Sequence, residues 1–531
     1  MSMTQASSEY FQQVAGSWDQ ISAGYFGKAV RDAAIAKAYL RPEMTVADIG
    51  AGTGFVTAGL APLVKRVYAV DGSAAMLAVA KNNLGEFSNV EYQEADGSSL
   101  PFPDEALDAV FANMYLHHTP DPQAAIREML RVLRPGGRLV ITDLDKHPYT
   151  WLKDEMADVW QGFDRSQLRG WFQEADMVNI IVDCTGQSCC AESSSPVLAD
   201  EQGREVKISV FVATGTRRMV MRDAVQENYA AVARSGSCGC STAASEGSCC
   251  GASEGGSTTC CKSAEGSSST CCKSSEAIDS SCCKSSEASN SACCGSSESS
   301  GSCCSGTLYE EVNFITGYSP LDLSAAPKEA AEISLGCGNP IAMAGMKPGE
   351  VVLDIGSGGG LDAFLAASRV GPTGRVIGVD MTPAMLDRAR ASAERNAIAN
   401  VEFRQGYAEE LPVADGEVDV IISNCVINLT EDKGQVFQEA FRVMKPGGRL
   451  EVSDMVTSGP VPIEQRESAA GWSECVTGAL PEREYLDLIE QAGFEHVTTR
   501  RSASMGEVLG VSIYSVIASA QKPGPILKTH S

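Results

Sequence analysis

The sequence predicts an α/β chain made of two doubly wound domains in tandem, and three observations predict it. Short β-rich runs alternate with helical patterns twice over, each series carries a glycine-rich loop directly after its first run, and a tract with almost nothing apolar parts the two series. In the first series, residues 46–49, 66–70, 90–93, 107–113 and 138–142 read as strands, being short, rich in β-branched residues and bounded by turn formers. The pattern returns at 351–355, 375–379, 401–405, 418–423 and 449–453, with helical segments such as 383–396 between the runs. Each series closes on apolar β-like runs, near 178–184 and 206–213, then near 495–500 and 509–518. Domains are therefore expected at 1–220 and 306–525.

The tract between them, 236–305, is dominated by Ser, Gly, Cys, Ala and Glu and has no aromatic residue, so it is expected to be a disordered linker. Adjacent cysteines recur in it every eleven residues, at Cys249-Cys250, Cys260-Cys261, Cys271-Cys272, Cys282-Cys283 and Cys293-Cys294, with Cys303-Cys304 one residue early. Neighbouring thiols do not easily close a disulfide on each other, whereas a soft ion or trivalent metalloid is gripped by both. An expanded repeat with no selected role is the alternative. As a flexible coil, about 70 residues have an r.m.s. span of roughly 45 Å, enough for the thiols to visit either domain.

A chain of 531 residues has room for two large domains, each with its own core. Its formal net charge of −26, with only 42 Lys+Arg, excludes a nucleic-acid or anionic-membrane partner, both of which require a basic face. No run near residue 1 resembles a signal peptide, and none approaches the ~20 apolar residues of a membrane span. The expectation is a cytoplasmic protein whose 20 cysteines stay reduced and available for ligation.

The two loops read Asp48-Ile49-Gly50-Ala51-Gly52-Thr53-Gly54 and Asp354-Ile355-Gly356-Ser357-Gly358-Gly359-Gly360. Glycines there let a ligand lie against the backbone at the carboxyl edge of a sheet, although tight strand-to-helix turns use them too. An acidic residue ends the next strand in each copy, Asp71 and Asp380, placed to accept from a ribose diol. A third, Asp96 or Glu409, follows the third strand, where it either addresses an adenine or is an exposed loop carboxylate. Neither loop has the G-x-G-x-x-G spacing of a pyrophosphate site. With the late Arg134-Pro135-Gly136-Gly137-Arg138 and Lys445-Pro446-Gly447-Gly448-Arg449, both halves resemble the class I, Rossmann-like S-adenosylmethionine-dependent methyltransferases. The resemblance implies S-adenosylmethionine as cofactor, with Asp48, Gly50, Gly52, Asp71 and Asp96, and Asp354, Gly356, Gly358, Asp380 and Glu409, around it.

Three cysteines of the second half stand outside the repeat: Cys337 in Gly336-Cys337-Gly338-Asn339-Pro340, Cys425 in Asn424-Cys425-Val426-Ile427-Asn428-Leu429, and Cys475 in Cys475-Val476-Thr477-Gly478-Ala479. Any one alone reads as a small buried hydrophobe. Together these motifs resemble the arsenite methyltransferases. What that implies is that Cys337, Cys425 and Cys475 bind trivalent arsenic, and that Cys303 or Cys304 supplies a further thiol. It also implies arsenite and methylated arsenicals as substrates, and a thiol reductant such as thioredoxin or glutathione.

The first half has Asn113-Met114-Tyr115-Leu116-His117-His118 at the corresponding place and so no thiol there. It resembles broad small-molecule methyltransferases, the ubiquinone and menaquinone type included. His117 or His118 is a candidate base or metal ligand, or a structural histidine at a helix start. Cys184, Cys189 and Cys190 form a local thiol group, for arsenic or for a loop. Two other readings of the whole remain: a metallothionein-like sequestration chain with vestigial domains, and an enzyme whose first half methylates a different small molecule.

Overall fold

Each series of predicted strands forms one seven-stranded sheet in the computed structural model, which describes residues 5–25, 27–191, 206–235, 318–331, 336–473, 475–508 and 510–525. The first sheet comprises β1 (Thr45–Ile49), β2 (Arg66–Asp71), β3 (Val90–Glu94), β4 (Leu107–Asn113), β5 (Leu133–Leu144), β6 (Met177–Ala191) and β7 (Val206–Arg217), in the order β3-β2-β1-β4-β5-β7-β6. The second repeats that order with β8 (Val351–Ile355), β9 (Arg375–Asp380), β10 (Val401–Gln405), β11 (Val418–Asn424), β12 (Met444–Thr457), β13 (Glu495–Val508) and β14 (Val511–Gln521). Six strands of each sheet run in one direction, and β7 and β14 run against them, antiparallel to both neighbours. The strand order turns about β1 and β4, and about β8 and β11, which opens a crevice at the carboxyl edge of each sheet.

The inner parallel strands are buried on both faces, which is why they read as near-continuous apolar runs, whereas the edge strands β3 and β10 are only partly buried. Ile49, Val110 and Ile141 meet Ile126 and Met129 on one face of the first sheet, while Val46, Ala109 and Phe111 meet Leu60 and Ala80 on the other. β5 and β12 begin at Leu133 and Met444, earlier than the sequence predicted. The Pro-Gly-Gly stretches are taken into the strands as irregularities, the register jumping from Leu107↔Leu133 to Ala109↔Arg138 and from Val418↔Met444 to Val420↔Arg449. Helix starts carry legible caps. Asp121 Oδ1 accepts from Ala124 N at 3.0 Å ahead of Pro122–Val132, and Asp432 Oδ1 accepts from Gln435 N at 3.0 Å ahead of Lys433–Val443.

The helix Arg222–Ser235, which follows β7, leaves the first domain and lies on the second. Gln226 Nε2 donates to the Met381 carbonyl at 2.8 Å, and Asn228 Nδ2 to Ser473 Oγ at 2.8 Å. Met219 and Val225 share an apolar cluster with Cys337, Cys425, Trp472 and Cys475. Residues 221–235 fall outside both expected domains and, by packing, belong to the second. Elsewhere the halves meet through a buried Arg138–Glu484 pair at 2.6 Å and through Asn179, whose Oδ1 accepts from Lys433 N at 3.0 Å. The tract 236–305, with Cys303 and Cys304, lies outside the described residues. Among the described residues no helix is long and apolar enough to cross a membrane.

Candidate active site

The two loops are built alike. Gly356 N and Ser357 N both donate to the Val379 carbonyl, at 2.7 and 3.0 Å, as Gly50 N and Ala51 N do to Val70, at 2.9 and 3.0 Å. Gly356 has φ 74°, and a Cβ there would run into the Val426 side chain; Gly50, with φ 71°, faces Tyr115 in the same way. Asp380 then accepts from Gly358 N at 2.9 Å and Thr382 N at 2.8 Å, while Asp71 accepts from Gly52 N and Ser73 N, both at 2.8 Å. Burial raises both carboxyls above the ordinary aspartate value despite these bonds.

A cavity of about 120 Å³ opens at the second loop, lined by Asp354, Asp380, Glu409, Cys425, Arg222 and Tyr229 among others. Its counterpart at the first loop is about 60 Å³ and is lined by Asp48, Asp71, Trp18, Met114, Tyr115 and His118 among others. Glu409 reaches its cavity, where Arg222 pairs with it at 3.2 Å. Asp96 is not part of the first cavity's lining. The Tyr115 hydroxyl lies against Gly97 at that end, and Asp96 Oδ1 instead accepts from Ser98 N at 2.8 Å in a tight turn. Asp48 and Asp354 differ as well. Asp48 Oδ2 takes Thr57 N at 2.9 Å and Thr57 Oγ1 at 2.6 Å, whereas Asp354 Oδ2 is buried without a partner. Burial and then the nearby Asp362 and Asp380 raise the Asp354 carboxyl well above its usual range.

The three separated cysteines converge beside the larger cavity. Cys337 and Cys425 are joined as a disulfide with Cα atoms 5.8 Å apart, and Cys475 Sγ donates to the Cys425 carbonyl at 3.1 Å. The bond departs from the expectation that all cysteines stay as thiols. All three residues are at most 5% exposed. Their placement follows from the flanking sequence. Asn424 Oδ1 accepts from Cys337 N at 3.0 Å and its Nδ2 donates to the Gly338 carbonyl at 2.7 Å, tying the Cys337 loop to the end of β11. Gly336 and Gly338 flank the cysteine because a Cβ on the first would strike Asn424 and on the second Ser453. Cys425 and Cys475 both adopt a left-handed backbone, with φ 57° and 61°. Burial, and after it the Asp454 charge, pushes the Cys475 thiol far above its ordinary value, so it is protonated at neutral pH. Cys337 Sγ, Cys425 Sγ and an Asp454 oxygen lie within 4.8 Å of one another.

Residues that the sequence reading passed over complete the site. Tyr318 donates to Asp362, and Asn424 Nδ2 reaches the same carboxylate at 3.2 Å, beneath the loop. Lys433 is fully buried beside Trp472, its Nζ donating to the Thr430 carbonyl at 2.9 Å, and burial lowers it to about 8. Tyr229 donates to the Ser473 carbonyl at 3.2 Å from the helix Arg222–Ser235. A buried acid one residue into the helix after Gly360 was the available signal for Asp362; Tyr229, from across the tract, offered none. In the first domain His117 and His118 lie buried against Asp143 and Asp158. Cys184 is exposed on β6, and the side chains of Cys189 and Cys190 lie outside the described residues.

Families described as "Methyltransferase domain" match residues 346–493 and residues 47–141. An arsenite methyltransferase of Halobacterium salinarum is 49% identical over 181 residues, which are 34% of this chain and 46% of that protein. The human arsenite methyltransferase is 41% identical over 152 residues, 27% of this chain and 40% of that protein. Among solved structures, an arsenic(III) S-adenosylmethionine methyltransferase from Chlamydomonas reinhardtii is similar at 35% identity and a TM-score of 0.35, covering 38% of this chain and 73% of that one. The chain spans about half the length of the curated relatives it matches.

Proposed function

From a chain that carries two methyltransferase domains in tandem, we propose that the second transfers methyl groups from S-adenosylmethionine to trivalent arsenic held by Cys337, Cys425 and Cys475, a reaction suited to arsenic detoxification. The observation that carries this reading is the meeting of three cysteines, from segments 88 and 50 residues apart, at the edge of a cavity that Cys425 itself lines. Such a set suits a soft pyramidal acceptor, and the names of the relatives agree with it.

The loop residues fit the cofactor. The partnerless Asp354 oxygen suits an ammonium group, and Asp380, with both oxygens already oriented by backbone N–H groups, suits a ribose diol. When bound, S-adenosylmethionine supplies an electrophilic methyl group on a sulfonium. The cysteines do the rest. With Cys337 and Cys425 reduced, each thiol proton leaves with an arsenite hydroxyl as water while an As–S bond forms. The arsenic lone pair points away from the three sulfurs and carries no proton, so no base is required at this site. Orientation of two reactants is the main contribution asked of the protein. Methylation oxidises arsenic by two electrons. Closing Cys337–Cys425 returns two electrons to it, and an external dithiol or glutathione then reopens the bond.

We expect Cys337→Ser, Cys425→Ser and Cys475→Ser each to stop or strongly reduce methylation of arsenite, read as arsenic speciation, while calorimetry shows cofactor affinity near wild type. Full arsenite turnover in all three variants would overturn the three-thiol site.

A further inference from the structure

The first domain holds a buried polar cluster for which arsenic chemistry has no use. Met114 occupies the place of Cys425 with the same left-handed backbone, φ 49° against 57°, and donates its N–H to Thr142 at 2.8 Å as Cys425 does to Ser453 at 2.8 Å. His117 stands where the second domain has Asn428: its N–H meets Asp143 Oδ2 at 3.3 Å, as Asn428 N meets Asp454 Oδ2 at 3.1 Å. One frame thus carries a thioether and an imidazole here, a thiol and an amide there.

Around that frame, His117 Nδ1 lies 2.6 Å from Asp143 Oδ1 and its Nε2 3.7 Å from Asp158 Oδ1. His118 Nδ1 is 3.7 Å from the same Asp158 oxygen and 3.4 Å from the Ala157 carbonyl. The four side chains are at most 7% exposed. Protonation follows from these partners. Burial opposes a charge on His117, but Asp143 and then Asp158 outweigh it and raise the imidazole to about 9, so both its nitrogens carry protons. Burial and the His117 charge together keep His118 neutral. A carbonyl only accepts, so His118 donates its Nδ1–H to Ala157 and bears its lone pair on Nε2. His118 also lines the cavity at the first loop, with Phe11, Trp18, Met76 and Met114.

We propose that the first domain methylates a different class of acceptor, a small phenolic or enolic hydroxyl compound, with His118 Nε2 as the base that takes the hydroxyl proton. The proposal rests on this domain binding the same cofactor. In the step, the acceptor oxygen forms a bond to the methyl carbon and the carbon–sulfur bond breaks with its electron pair left on sulfur. The hydroxyl proton passes to His118 Nε2 and then to solvent. Asp158, beside Nδ1, offsets the charge that His118 gains, and the His117–Asp143 pair positions Asp158. A weakly basic imidazole matches an acidic hydroxyl rather than an aliphatic alcohol, and aromatic and thioether walls suit a flat ring. A divalent cation bridging His117, His118 and Asp158 is disfavoured, since both facing nitrogens already carry protons and a ligand nitrogen must not.

The test uses the full chain without arsenic, methyl-tritiated S-adenosylmethionine, and 4-nitrophenol, catechol and 1,4-dihydroxynaphthalene as probes. We expect labelled ether from at least one probe, and a loss of ~100-fold or more in kcat for His118→Ala with cofactor KM little changed, the size general-base loss produces. His118→Gln, closer in shape, should be equally slow if the alanine variant misfolds. Asp158→Asn should move the acidic limb of the pH profile, which the base sets, to lower pH, which lost packing alone would not do. Independently of turnover, imidazole nitrogen NMR should show His118 neutral with its proton on Nδ1. No label from any probe, undiminished turnover in both His118 variants, a proton on Nε2, or loss of activity on chelation would each overturn the proposal. Calorimetry showing no cofactor site sensitive to Asp71→Ala would overturn the reading beneath it.

Discussion

Asp380 and Asp71 each hold two backbone N–H groups of their own loop, so each carboxylate is fixed before a ligand arrives. Hydrogen bonds to a charged group contribute about 1.5–3 kcal/mol, so Asp380→Ala should weaken cofactor binding in the second domain by roughly tenfold to 150-fold, and Asp71→Ala in the first. Calorimetry on the full chain, resolving two sites, checks both. These aspartates were legible because a strand-end acid after a glycine loop is a local pattern. The partnerless oxygen of Asp354 was not, since it depends on Asp362 and on Ala363, which has no hydroxyl, standing where Thr57 Oγ1 satisfies Asp48. His117 gives a pH prediction. Its folded value of about 9, against 6.5, means that the Asp143–His117–Asp158 contacts stabilise the fold fully below pH 6.5 and cease to as pH rises through 9. With His118 and His147 also facing it, the clean measure is a difference. The loss of thermal stability in His117→Gln should be greatest near pH 6, at most about 3 kcal/mol, and should shrink by pH 9.5.

At the scale of elements, strands and loops followed from alternation and glycine placement, and the predicted edges shifted mainly where Pro-Gly-Gly was absorbed into β5 and β12. What local pattern did not disclose was which element covers which site. The helix Arg222–Ser235 has the amphipathic look of any surface helix, yet its Val225 and Tyr229 pack toward Cys425 and Cys475, its start held on the second domain by Glu431, which accepts from Met221 N and Arg222 N. The Cys337 loop shows how an element serves the chemistry. Its two glycines permit Asn424 to grip the backbone and Ser453 to approach it closely, so Gly338→Ala should displace Cys337 rather than merely fill space. We expect a cost of about 1–3 kcal/mol for the overpacking, together with weaker arsenite binding and intact cofactor binding, measured by thermal unfolding and paired titrations. Arsenite affinity equal to wild type would show that the loop tolerates the extra carbon without moving its thiol.

For the whole molecule, two copies of one sheet carry different residues at one edge position: Cys425 and Asn428 in the second, Met114 and His117 in the first. The sequence disclosed the duplication and the contrast, but not the docking of the halves, since Arg138 and Glu484 are 346 residues apart. The cysteine tract joins them in sequence. Vicinal thiols tethered beside a site raise local arsenic concentration, toward the ~millimolar range for short linkers. Deleting residues 237–302 should therefore leave turnover at saturating arsenite nearly unchanged and lower it at limiting arsenite, together with arsenic bound per chain. Unchanged values of both would reduce the tract to a spacer. Whether Cys337, Cys425 and Cys475 together hold arsenic is read out by counting sulfur ligands with X-ray absorption at the arsenic edge. The measurement uses a reduced chain lacking residues 237–304, loaded with one equivalent of arsenite. Three sulfur neighbours are expected, falling to two sulfurs and an oxygen in Cys425→Ser; a three-sulfur shell that survives Cys425→Ser would rule out a site built from these three thiols.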